Sequence, residues 1–135
     1  MSLDKKVMQR DVLICDDDKN ICEILKAYCE NMGCFKNIVF AHDGITATQK
    51  LRNQKFQLIC LDINMPKKSG YDLLGDIAVG NVNSTDSVLV ISGVLEKDLI
   101  GKIIGSGVKN FMVKPFDEKG FQDKVLKVLA GPAKV

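Results

Sequence analysis

Short apolar runs alternate with stretches of helical spacing along the whole chain, and this alternation decides the fold class. The runs are Val12-Leu13-Ile14-Cys15, Ile38-Val39-Phe40-Ala41, Leu58-Ile59-Cys60-Leu61, Val88-Leu89-Val90-Ile91 and Phe111-Met112-Val113. Each is too short for a buried helix and suits a strand of a parallel sheet. Between the first two, Ile21, Leu25, Tyr28 and Met32 recur at helical spacing, with Ile24 beside them. Asp18 stands where this helix needs an N-cap and Gly33 stands just past its end. Asp43 caps a second predicted helix over 44–53. Further helices are expected over 71–79, 96–105 and 116–129. Gly101 and Gly105 weaken the fourth, by about 1 kcal/mol for each interior glycine relative to alanine. Strands alternating with helices imply one doubly wound α/β domain, a five-stranded parallel sheet flanked by five helices. At 135 residues the chain is long enough to bury a core without staples. The domain is expected over 10–131. Residues 1–9 read as a leader, in part of cloning origin, and 132–135 as a short tail.

Bulk properties exclude several function classes. The formal net charge is +2 and the lysines are dispersed, which gives no electrostatic footprint for nucleic acid or an anionic membrane. No apolar stretch is long enough to span a bilayer and the first residues lack a signal-peptide core, so a cytoplasmic location is expected. The cysteines, Cys15, Cys22, Cys29, Cys34 and Cys60, are odd in number and never spaced C-x-x-C. They read as reduced, buried or half-buried thiols, neither disulfides nor metal ligands.

Ligands of open parallel α/β sheets bind beyond the carboxyl ends of the strands. The residues that follow the apolar runs are Asp16, Asp17 and Asp18, then His42 and Asp43, then Asp62 and Asn64, then Ser92, then Lys114. Asp18 and Asp43 are explained as helix caps, and His42 as a loop residue. Capping cannot explain Asp16 and Asp17 as well. Taken singly, Ser92 reads as a turn hydroxyl or a ligand contact, and Lys114 as a surface lysine or a site cation. Taken together they suit phosphoryl chemistry. Like charges about 4 Å apart repel by about 4 kcal/mol at an effective dielectric near 20, so clustered carboxylates recruit a cation or a proton. Oxygen ligands select a hard ion such as Mg²⁺, with Mn²⁺ as a substitute. A carboxylate beside such an ion and a lysine suits a phosphoryl acceptor.

These residues resemble the response-regulator receiver family. The resemblance rests on Asp16-Asp17, on Asp62 within Leu61-Asp62-Ile63-Asn64-Met65-Pro66, on Ser92, and on Lys114-Pro115-Phe116, in that order and each at a strand end. It implies a flavodoxin-like strand order 2-1-3-4-5. It implies that Asp62 is the phospho-acceptor, with Mg²⁺ held by Asp17, Asp62 and the backbone carbonyl of Asn64, and by Asp16 through water. Ser92 and Lys114 would then hold the phosphoryl group, and Phe111 would be the aromatic switch. The implied donor is a phosphohistidine on a sensor histidine kinase or a phosphotransfer protein. The implied output is a linked domain, a target protein or a second copy of the chain, with no direct contact to nucleic acid or membrane and no multiple-turnover enzyme activity. The chain would be a stand-alone receiver or part of a larger regulator. Three positions depart from the common pattern: serine at 92 in place of threonine, Gly93 in place of alanine, and Ser69-Gly70 in place of Asp-Gly.

Two other readings compete. A haloacid-dehalogenase-like phosphatase also uses a strand-end aspartate with Mg²⁺, but needs an acid where Asn64 stands. A non-phosphorylated binding module of the same fold is the second. A flavin-binding version is disfavoured because Asp16, Asp17 and Asp18 would repel a phosphate.

Overall fold

Every apolar run is the centre of a strand, and the residues between them form the helices the spacing predicts. The computed structural model describes residues 10–93 and 97–131. The expected leader and tail, and the first residue of the fourth predicted helix, lie outside them. The order is β1 (Arg10–Cys15), α1 (Lys19–Met32), β2 (Phe35–Ala41), α2 (Gly44–Asn53), β3 (Leu58–Asp62), α3 (Gly70–Val79), a 3-10 turn (Thr85–Ser87), β4 (Val88–Ser92), α4 (Lys97–Gly105), β5 (Asn110–Val113) and α5 (Glu118–Ala130). The strands form one sheet in the order β2-β1-β3-β4-β5, and every pairing is parallel.

Alternation along β1 sorts its side chains to the two faces. Leu13 and Cys15 join a core with Leu51, Phe56, Leu73 and Ile103. Val12 and Ile14 join a second core with Cys22, Leu25, Phe121 and Val125. Helices α2, α3 and α4 therefore cover one face, and α1 and α5 the other. The five cysteines are all buried and free, as the composition leads one to expect.

Local chemistry sets the helix ends. Asp18 accepts from the N–H groups of Asn20 and Ile21, and Gly33 closes α1 in the left-handed region at φ 67°. Asp43 accepts from Thr46 N–H at the start of α2. Two caps were not foreseen. Ser69, read as part of a loop, accepts from Asp72 N–H and opens α3. Asp117 accepts from Gly120 N–H and opens α5 at Glu118, two residues after the expected start. Phe116 is instead a loop residue packed between Tyr28 and Phe121, with ring centroids 6.5 and 6.2 Å away. The second strand starts earlier than its apolar run, at Phe35. It lies on the edge of the sheet, where the exposed Lys36 and Asn37 are tolerated.

The register aligns the carboxyl ends. Cys15 pairs with Ala41 and Leu61, Asp62 with Ile91, and Ser92 with Val113. Asp16, Asp62, Ser92 and Lys114 are thereby delivered to one edge.

Candidate functional site

Asp16 is the most constrained residue of that edge. It is 2% exposed. Its N–H donates to the carbonyl of Ala41 at 3.0 Å, extending the ladder one residue past β1. Its Oδ1 accepts from Asp18 N–H at 2.9 Å, and its Oδ2 accepts from Lys114 Nζ at 2.9 Å. Lys114 reaches the site because β5 ends at Val113, and its own N–H donates to the carbonyl of Ser92 at 2.8 Å.

Asp62 ends β3 and is 6% exposed. Its Oδ1 accepts from Asn64 N–H at 3.1 Å. Its Oδ2 lies 3.5 Å from Lys114 Nζ. Two buried carboxylates thus share one ammonium. Asp17 is exposed beside them. Ligand oxygens of Asp16, Asp17 and Asp62 lie within 4.8 Å of one another. Asp18 faces its helix and stays out of the cluster, as capping requires.

Burial pushes the Asp62 carboxyl above the usual carboxylate range, and the charge of Asp16 adds to this. The Asn64 N–H and the Lys114 ammonium act in the opposite direction without cancelling it. For Lys114, partial burial favours the neutral amine. The hydrogen bond to Asp16 and the charges of Asp62 and Asp16 outweigh it, so the net shift is upward. The lysine therefore stays charged at neutral pH.

Ser92 is fully buried at the end of β4, next to Gly93, which is exposed. Among the described residues, a Cβ built on Gly93 meets no atom within 4 Å. Phe111 is half-buried and packs against the core on the α4 face. Asn64 is exposed at the lip of the site.

Two residues here were given no site role from the sequence. Gly70, read as loop punctuation, donates from its N–H to the carbonyl of Ile63 at 2.9 Å. A Cβ on it would sit 2.4 Å from the carbonyl oxygen of Asp62. The loop after β3 folds back so tightly on the backbone of Asp62 and Ile63 that only glycine fits. The pairing Ser69-Gly70 carries that signal. His42, read as a plain loop residue, points its Nδ1 at the carbonyl oxygen of Asp16, 3.0 Å away. Nothing in the spacing indicates that contact.

The donor set is all oxygen, it carries more negative charge than one lysine offsets, and Asp17 and Asn64 open it to water. Such a site fits a hard divalent cation. It also presents a buried carboxylate with a fixed cation beside it.

The comparisons with known proteins agree with this geometry. The family described as "Response regulator receiver domain" matches residues 12–126. The chain belongs to the response-regulator receiver family.

Chemotaxis protein CheY of Pseudomonas aeruginosa is 31% identical over 117 residues, which is 87% of this chain and 94% of that protein. The transcriptional regulatory protein ZraR of Klebsiella oxytoca is 30% identical over 122 residues, which is 90% of this chain and 27% of that protein. The crystal structure of a two-component response regulator from Clostridium difficile superposes with a TM-score of 0.80 at 29% identity, covering 90% of this chain and 97% of that one. The receiver resemblance and its 2-1-3-4-5 strand order are thus borne out, and the haloacid-dehalogenase reading falls. A receiver is a signalling switch of two-component systems, and the chain is to be understood as one. Among the described residues, no helix is long and apolar enough to cross a membrane.

Proposed function

We propose that Asp62 accepts a phosphoryl group from a phosphohistidine of a sensor histidine kinase or a phosphotransfer protein. A carboxylate oxygen of Asp62 attacks phosphorus, an O–P bond forms, the P–N bond of the donor breaks, and the departing imidazole takes up a proton. The observation that carries this is the position of Lys114 Nζ, 2.9 Å from Asp16 Oδ2 and 3.5 Å from Asp62 Oδ2. A fixed ammonium there meets the charge that gathers on the phosphoryl oxygens during transfer.

Asp16, Asp17, Asp62 and the backbone carbonyl of Asn64 are the groups that would hold Mg²⁺, or Mn²⁺ in its place. When bound, such an ion neutralises the clustered carboxylates and the incoming phosphoryl oxygens. Lys114 exchanges its carboxylate partners for the phosphoryl group. The Ser92 hydroxyl turns to a phosphoryl oxygen, and the Phe111 ring follows into the space released beside β4. The signal is then read as a changed surface of α4, β5 and α5. The reader is a linked output domain, a separate target protein or a second copy of the chain. The receiver unit spans 10–131 and works in the cytoplasm.

The test is incubation with acetyl phosphate and Mg²⁺, read by intact mass. The expected outcome is a gain of one phosphoryl group, lost on chelation and absent in Asp62→Ala. No gain overturns the proposal in favour of a binding module that is not phosphorylated, and an equal gain in Asp62→Ala overturns Asp62 as the acceptor.

A further inference from the structure

The carbonyl oxygen of Asp16 has partners that phosphoryl chemistry does not use. His42 follows β2 and is half-buried. Its Nδ1 lies 3.0 Å from that oxygen. A carbonyl only accepts, so Nδ1 carries the proton and the ring donates. The thiol of Cys22, buried on the first turn of α1, donates to the same oxygen at 3.4 Å. Its Sγ stands 3.7 Å from His42 Nδ1. The ring of Phe40 packs against the imidazole, with centroids 5.8 Å apart, and restricts its rotation.

This oxygen belongs to the peptide that joins Asp16 to Asp17. A peptide is a rigid plane, so holding its oxygen also fixes its N–H and the first bond of Asp17. The side chain of Asp16 needs no such help, since Asp18 N–H and Lys114 already hold it. Asp17 is exposed, and among the described residues its carboxylate has no hydrogen-bond partner. Its aim toward Asp16 and Asp62 therefore rests on the backbone.

We propose that His42 is a positioning residue, whose Nδ1–H, together with the Cys22 thiol, sets the Asp16–Asp17 peptide so that the Asp17 carboxylate faces the other two acids as a ligand for a divalent cation. This rests on the reading that the acidic cluster binds such a cation.

The experiment measures the Mg²⁺ dissociation constant of the whole chain by calorimetric titration, with the melting temperature and the Asp17 amide resonance as companion readouts. Removing a hydrogen bond that orients a metal ligand weakens binding roughly 10–100-fold, and an effect relayed through backbone belongs at the lower end. His42→Leu is expected to weaken Mg²⁺ about tenfold and to shift the Asp17 amide. His42→Asn places an amide N–H where Nδ1–H stood, and is expected to stay within about threefold of the parent. Unchanged affinity in His42→Leu overturns the proposal. So does an equal loss in both variants, or a lowered melting temperature with unchanged affinity, which marks a merely structural role. Asp17→Asn separates the two levels. If the parent does not bind Mg²⁺, or Asp17→Asn binds it as well as the parent, the cation reading itself fails. If Asp17→Asn loses affinity and His42→Leu does not, only the role of His42 fails.

Discussion

Helices α1 and α4 both begin at the carboxyl edge of the sheet, on opposite faces, and are built to different standards. Asp18 caps α1 and Gly33 closes it. It buries Cys22, Leu25 and Cys29. It is also tied to α5, where the Asn31 side-chain amide donates to Glu118 at 2.6 Å and the Gln122 amide to the carbonyl of Tyr28 at 3.0 Å. By contrast α4 is a helix of nine residues containing Gly101 and Gly105. Of its described side chains only Ile103 is buried, while Leu99 is half-buried against the core. The acidic pair Asp16-Asp17 leads into α1, and Ser92 and Gly93 precede α4. The side of the site built on α1 is therefore the more firmly packed, and the side next to α4 the less so. Regions that move in switching come from the low-stability end of a fold, because a region with many buried contacts opens only at near-global cost.

The largest effect that can break this contrast is in the core. Leu25→Ala is expected to cost about 3 kcal/mol in urea unfolding. Leu99→Ala, on a half-buried side chain, should cost about 1 kcal/mol. Equal costs would mean that α4 is as firmly seated as α1. A smaller effect sharpens the contrast. Amide exchange across 97–104 should be fast, and Gly101→Ala should slow it there while stabilising the chain by about 1 kcal/mol. Among the described residues a Cβ on Gly101 meets nothing within 4 Å, so none of them opposes the gain by a clash. Uniformly strong protection of α4 in the parent would defeat the idea that its side is the less firmly packed.

The smallest effect lies at Asp62, on the central strand between the two sides. Its carboxyl is raised in the fold, chiefly by burial and next by Asp16. A raised carboxyl favours the protonated form in the folded state. Its contribution is thus fully present below the ordinary value of 3.8 and lost as pH rises through the folded value. At neutral pH without metal, the Asp62 charge opposes folding. Asp62→Asn should raise the melting temperature by a few degrees at pH 7 in chelator, and the gain should vanish in strong acid. A pH-independent gain would mean that the charge is not its source.

Much of this was legible in the sequence. The strand centres, the caps at Asp18 and Asp43, and the strand-end positions of Asp16, Asp62, Ser92 and Lys114 follow from local pattern alone, because burial on a sheet and capping of a helix are short-range demands. What was missed needs the third dimension or a polar edge. Phe35 to Asn37 are strand residues of an exposed edge, and no apolar run marks them. Phe116 looked like the first residue of a helix because it is apolar, yet it is apolar to meet Tyr28 from a loop. The shared ammonium of Lys114, 98 residues from Asp16, depends on register. The His42 contact depends on the end of β2 lying beside the end of β1.

The five cysteines carry one more consequence. Burial pushes the Cys22 and Cys29 thiols up to about 12, and those of Cys15, Cys34 and Cys60 also upward. Only the thiolate attacks an alkylating reagent, so the folded chain presents almost none at neutral pH. Cys15 and Cys60 lie on two of the three inner strands, Cys22 and Cys29 on the buried face of α1, and Cys34 at the turn into β2, where it is 8% exposed. The order in which they take up label therefore reads out which parts of the molecule open first, and it does so with no residue replaced.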